Sequence, residues 1–314
     1  MRSSRLDLLR SRLSALRLDA LVVSSLADIR YLTGFTGSHA LVGVTLRRAG
    51  IITDGRYRHQ VRVEAAGWEA VVAAQGLPDG LRRSGLLGRA RRIGFDDQNL
   101  SVAGLRALRS LFPHRKFVPA GGVVERLAAV KSEQEIACIR RAAEISDRVF
   151  SRILKLIRPG VRELELAAEI SHLHRSLGAE ADAFEPIVAG GPRGAFPHAR
   201  ATDQVLRSGT LLTLDFGCRV CGYHSDLTRT VAVGRISRTL RAMYDAVREA
   251  QEVAVERVRP GMAARQLDAA ARERLRRRGY GRYFVHSLGH GLGLRVHELP
   301  RVSALSSDVL QAGN

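Results

Sequence analysis

Residues 210–230 read TLLTLDFGCRVCGYHSDLTRT, and this stretch decides the fold of the C-terminal half. Thr210 to Phe216 alternate as a strand, Gly217 to His224 make a connection, and Ser225 begins a returning strand that runs on through TRTVAV. An antiparallel pair of this kind brings Asp215 and Asp226, eleven residues apart, close together on one face. Two adjacent carboxylates repel unless a proton or a metal lies between them. A single Asp here would read as a turn acid or as a partner for Arg229. The pair, with its glycines and the histidines further on, reads as a metal site. Cys218-x-x-Cys221 has the spacing of a redox or zinc pair, but no second such pair follows. It falls in the connection beside Gly222, so it reads as small hairpin residues.

The histidines strengthen the metal reading. Residues 284–298 are FVHSLGHGLGLRVHE, which places His286, His290 and His297 within twelve residues on a backbone punctuated by Gly289, Gly291 and Gly293. Imidazole combines with carboxylate oxygen to bind Mn, Co, Zn or Fe. His198, in AFPHARA after the glycine-rich segment 190–194, is a further candidate. His172 and His174 lie on a predicted helix and read as ordinary surface or core residues.

Outward from this region, the chain repeats itself. A helix predicted to end at Ile157 runs into Arg158-Pro159-Gly160 and another helix; a helix ending at Val258 runs into Arg259-Pro260-Gly261 and another helix, 101 residues later. Proline stops the first helix and glycine makes the turn. Strand-like stretches follow at 184–190 and 283–289, so the half is predicted to be a duplicated αβ unit. The N-terminal half alternates differently. A helix over 3–18 carries Leu6, Leu9, Leu13 and Leu16; strands are predicted at 20–24, 40–46, 50–53 and 69–74, with a turn at Gly34–Gly37 and a helix at 55–66. That order indicates a layered α/β domain. Pro119, Gly121 and Gly122 precede the Ser132–Glu135 capping box of a long helix, which sets the boundary near 125–131 and gives domains 1–128 and 129–314.

Composition limits the rest. A chain of 314 residues suits two domains. No stretch approaches the roughly 20 apolar residues that span a bilayer, and the N-terminus mixes Arg and Asp through its apolar positions, unlike a signal peptide. A cytoplasmic protein with no membrane partner is expected. The net charge of +19 would suit nucleic acid. However, lysine stands only at 116, 131 and 155, and the arginines are scattered along helices. They read as a solvated surface, which argues against a nucleic-acid partner.

With LADIRYLTGFTGS and ITDGRY in the first half, and LDFG, GYHSDLTRT and HSLGHGLGLRVHE in that order in the second, the chain resembles the pita-bread metallopeptidases. The likeness is to the Xaa-Pro peptidase branch of aminopeptidase P and prolidase, preceded by a creatinase-like N-terminal domain. The resemblance implies an α/β (α+β) fold and two divalent ions, Mn, or Co or Zn in its place. Asp215 would bind one metal, Asp226 would bridge both, and His290 would ligate the other. His198, His286 and His297 would line the substrate pocket and move protons. The implied reaction is hydrolysis of the bond before proline, in a peptide with proline second, by a hydroxide bridging the two ions. A homodimer is also implied. Family members continue past the equivalent of Ala312-Gly313-Asn314 into two strands that each bear a glutamate ligand. On that comparison the pita-bread domain is C-terminally truncated, its last strands missing, and the triad is three-fifths of a five-ligand set. The other reading is then a non-catalytic relative that binds peptide. A relative that turns over creatine-type substrates without metal is disfavoured by Asp215, Asp226 and His290.

Overall fold

The computed structural model describes residues 4–314, and residue 3 of the first predicted helix lies outside them. The chain divides into two compact units, Met1–Ala128 and Ala129–Asn314. In the first, strands β1 (Ala20–Val23), β2 (Ala40–Thr45), β3 (Ala49–Asp54), β4 (Glu69–Ala73), β5 (Arg92–Phe95) and β6 (Lys116–Pro119) form one sheet in the order β4-β3-β2-β1-β5-β6. The consecutive strands β1, β2 and β3 pair antiparallel. The β3–β4, β1–β5 and β5–β6 pairs are parallel, and parallel neighbours require crossovers.

Helices α1 (Arg5–Ala15), α2 (Leu26–Thr33), α3 (Gln60–Glu64), α4 (Leu77–Arg83), α5 (Val102–Leu111) and α6 (Val123–Ala128) complete this unit. Ser4 and Asp7 close a capping box on α1. Val22, Ile52 and Ile93 of the sheet pack with Leu81, Leu86 and Leu108 in one buried cluster, each contributing about 2 kcal/mol by burial. The helix expected over 55–66 is broken. Asp54 accepts from the Arg56 amide and pins Gly55–Tyr57 into a 3-10 turn, so the α-helix itself is only Gln60–Glu64.

The second unit opens with α7 (Glu133–Ile153), capped by the expected Ser132–Glu135 box, and α8 (Glu163–Ser176). It continues through β7 (Ala181–Asp182), β8 (Ile187–Gly190), β9 (Thr210–Phe216), β10 (Cys218–Val220), β11 (Tyr223–His224) and β12 (Leu227–Val233). Then come α9 (Arg238–Arg257), α10 (Ala264–Arg277), β13 (Gly289–Gly291) and β14 (Glu298–Val302). The helix α7 stops at Ile153, short of Ile157, and passes into a turn. The duplication has a backbone signature. The Gly160 amide donates to the Leu206 carbonyl and the Leu206 amide to Val161; the Gly261 amide donates to Leu310 and the Leu310 amide to Met262. Isolated bridges Arg162–Val205 and Ala263–Val309 follow in step, so α8 and α10 are entered by the same pairing.

The second strand of the repeat differs from expectation. Residues 283–288 are not extended, and β13 begins only at Gly289. The reason is local. Arg272 donates to the carbonyls of Phe284 and His286, each at 2.7 Å, and the Leu288 amide donates to Asp268 at 3.0 Å. Side chains satisfy this backbone where a neighbouring strand would otherwise do so.

β9 lies between β12 and β8 in an antiparallel three-stranded sheet. Its Leu212, Leu214 and Phe216 bury into a core with Ile145, Val149 and Ile153 of α7 and Leu166, Ile170 and Leu173 of α8. Side chains alternate along a strand, so Asp215 falls on the opposite face. Gly217 then sits under the Ser225 carbonyl, and a Cβ there would collide with it. Gly217→Ala should therefore lower the unfolding free energy by about 2 kcal/mol or more, as read from urea denaturation; a change within experimental error would show that the hairpin can shift aside.

Candidate metal centre

The β9–β12 register pairs Asp215 with Thr228, and the Thr228 hydroxyl donates to Asp215 Oδ1 at 2.7 Å. Asp226, two residues before Thr228, shares its face and faces Asp215 diagonally. Burial raises the Asp215 carboxyl above its ordinary value. The Thr228 hydroxyl opposes the rise, and the neighbouring Asp226 charge adds to it. Burial likewise raises Asp226, against the opposing influence of His290. Both acids are thus short of positive charge.

His290 stands beside them, its Nε2 3.5 Å from Asp226 Oδ2. Its Nδ1 is 3.0 Å from the Gly291 carbonyl. A carbonyl can only accept, so Nδ1 carries a proton, and Nε2 is the nitrogen turned toward Asp226, the one a metal would use. The His297 ring stacks edge-on against His290, with centroids 4.2 Å apart. Partial desolvation, then the charges of His290 and His198, lower its pKa, which keeps it neutral near pH 7. His198 is exposed and acts on Asp215 and His297 through its charge. His286 lies apart: it is exposed, packs edge-on against Phe284, and places Nδ1 2.7 Å from the Ser287 carbonyl.

The structure therefore brings Asp215, Asp226, His290 and His297 together and leaves His286 outside. Among the described residues no three Asp, Glu, His or Cys side chains converge closely enough to hold a metal ion unaided. The donor chemistry nonetheless fits a divalent cation: two undercompensated carboxylates and one correctly oriented imidazole nitrogen.

Several supporting side chains were not singled out from the sequence. Glu163 is fully buried and accepts from the amides of Gly190 and Thr202, the Thr202 hydroxyl and Arg193 Nε. Arg193 in turn donates to the Arg200 carbonyl, which closes the loop carrying His198. Lys131 and Glu298 form a buried pair at 3.1 Å, 3% and 6% exposed, and Glu298 also accepts from the Arg295 amide. His224 meets the Gly293 carbonyl through both its amide and Nδ1, each at 2.9 Å. These contacts fix the segment bearing His290 and His297. Glu298, adjacent to His297, and His224, within GYHSDLTRT, had a sequence signal.

His174, set aside as an ordinary helix residue, is a core histidine. Its Nδ1 donates to Asp182 at 2.6 Å, and its buried Nε2 has no hydrogen-bond partner. Burial holds its pKa below 6.5, so the native state binds this proton later than the unfolded chain does. Stability should fall as pH drops below about 6.5. Thermal unfolding at pH 7.5 and 5.5 checks this, and His174→Gln should flatten the dependence.

A duplicated αβ unit presenting two acids from the β9–β12 hairpin and an imidazole from β13 defines a metal-site hydrolase scaffold. Metallopeptidase family M24 matches residues 137–314, and the Creatinase/Prolidase N-terminal domain matches residues 5–130. The chain belongs to metallopeptidase family M24. It is 38% identical over 313 residues to "Uncharacterized peptidase YqhT" of Bacillus subtilis, covering 98% of this chain and 88% of the relative. It is 42% identical over 199 residues to an Xaa-Pro dipeptidase of Pyrococcus furiosus, covering 63% of this chain and 57% of that protein. Among solved structures, an Xaa-Pro dipeptidase from Bacillus anthracis superposes with a TM-score of 0.94 at 37% identity, covering 98% of this chain and 86% of that one. An X-Pro aminopeptidase from Thermotoga maritima superposes at 0.86 with 36% identity, covering 96% and 87%. The lineage is enzymatic and the fold is that of prolidases. Among the described residues no helix is long and apolar enough to cross a membrane.

Proposed function

We propose that this chain hydrolyses the peptide bond preceding proline in a divalent-metal-dependent reaction, with residues 1–128 as the N-terminal domain and 129–314 as the peptidase domain. The observation that carries this reading is the Asp215–Asp226 pair, both carboxyls raised by burial, with His290 Nε2 3.5 Å from Asp226. Asp215, Asp226 and His290 would hold the ions, for which manganese is the first choice. Bound there, divalent ions would acidify a water and polarise the substrate carbonyl. His297, held neutral beside His290, exchanges a proton with the reacting peptide. His198, on the loop closed by Glu163 and Arg193, orients the substrate. His286 belongs to the outer rim. A homodimer in the cytoplasm completes the proposal.

Incubating the protein with Mn2+ and matched Ala-Pro, Pro-Ala and Ala-Pro-Ala tests it. Release of alanine from Ala-Pro with Pro-Ala untouched is expected, and the tripeptide separates aminopeptidase from dipeptidase preference. Binding of Ala-Pro without turnover at any metal concentration would instead make this a peptide-binding module. His297→Ala should lower kcat about 100-fold while leaving metal affinity unchanged; equal loss of both would make His297 a ligand.

A further inference from the structure

The two cysteines of the C-x-x-C spacing part company in the structure. Cys218 is buried, donates to the Ala142 carbonyl at 3.3 Å and lies 3.8 Å from the Ser225 hydroxyl. Cys221 is exposed at the tip of the β10–β11 turn. That hairpin lies along one stripe of α7. Tyr223 Oη donates to Glu135 at 2.7 Å, Cys218 reaches Ala142, and the hydroxyls of Ser225 and Ser146 meet at 2.8 Å. Positions 135, 138, 142 and 146 follow helical spacing along that stripe, so the turn passes over Cys138. The Cys138 thiol accordingly feels the Cys221 sulfur electrostatically, as two side chains brought to the same stripe do.

The turn is also held in place. Cys221 and Gly222 have φ of 52° and 82°, the two left-handed positions of a two-residue hairpin turn, and the Gly222 amide donates to Glu180 at 3.1 Å. Asn, Asp or Gly is the usual first residue of such a turn. A cysteine in that place, over a helix stripe that carries a second cysteine, departs from this usage, whereas Cys218 is committed to the core.

We propose that Cys138 and Cys221 form a reversible disulfide that fastens the connection between Asp215 and Asp226 to α7. The oxidant is a low-molecular-weight disulfide. The Cys221 thiolate attacks its S–S bond and expels one small thiol; the Cys138 thiolate then attacks Cys221 Sγ in the mixed disulfide and expels the second. The two protein thiols lose two protons and two electrons, and the small disulfide becomes two thiols. Burial and the adjacent Cys221 sulfur push the Cys138 thiol up to about 11, so the second exchange is the slow one and quickens as pH rises.

Intact, metal-free protein incubated with glutathione disulfide at pH 8.5, alkylated and mapped without reduction, tests this independently of any peptidase activity. A cross-linked peptide pair containing Cys138 and Cys221 is expected, cleaved by dithiothreitol, with Cys218 alkylated only after denaturation. The oxidised form should unfold about 5 °C higher, because the bond closes a long loop of the unfolded chain. Cys138→Ser should stop at a glutathione adduct on Cys221. A Cys218–Cys221 bond, a stable adduct on Cys221 in the parent protein, or three unmodified thiols would each overturn the proposal.

Discussion

Asp226→Asn should abolish divalent-dependent hydrolysis, with a loss of at least about 1,000-fold, and should remove the rise in melting temperature that Mn2+ gives the parent protein. The same substitution should leave the metal-free protein as stable or slightly more so. Its carboxyl is raised by burial, so the unfolded chain ionises first. Above the ordinary carboxylate range the charged side chain therefore costs the native state stability, and this cost appears as pH rises through the window between the unfolded and folded values. Asparagine carries no such charge. Melting curves with and without Mn2+ at pH 7.5 separate the two effects. A variant that melts lower without metal, yet keeps its metal response, would show Asp226 to be a structural acid.

The largest effect on stability is expected at Asp268. It is fully buried and accepts from Arg272 Nε at 2.7 Å, Arg272 Nη2 at 3.1 Å and the Leu288 amide at 3.0 Å. Arg272 then carries the carbonyls of Phe284 and His286 and stacks on the Phe284 ring 4.3 Å from its centroid. Asp268→Ala leaves a partly buried guanidinium and a backbone amide without their acceptor and releases the chain leading into His290. A loss of about 3 kcal/mol is expected in urea denaturation. The exposed pair Arg248–Glu252, at 2.7 Å on α9, should cost well under 1 kcal/mol when broken. Similar losses at the two positions would show that the Asp268 network carries no special share of stability.

Much of the architecture was legible because it rests on local pattern. The alternation of Thr210–Phe216 puts leucines on one face and Asp215 on the other, and the paired Arg-Pro-Gly breaks mark the two halves within the sequence itself. The capping box at Ser132 likewise lies within four residues. What stayed hidden depends on contacts distant in sequence. Glu163 takes its partners 27 to 39 residues away, and Lys131 meets Glu298 across 167. The irregular path of residues 283–288 follows from Arg272 and Asp268 on another element, so the apolar run there imitated a strand. The approach of the β10–β11 turn to the α7 stripe that carries Cys138 was hidden for the same reason, since Tyr223 reaches Glu135 across 88 residues.

Titration of metal-free protein with Mn2+, followed by calorimetry alongside proline release from Ala-Pro, tests the central claim most directly. Saturable binding that is lost in Asp226→Asn, with proline release rising in step with occupancy, is the expected result. A folded parent protein that binds no Mn2+, Co2+ or Zn2+ at saturating concentration and releases no proline would contradict it.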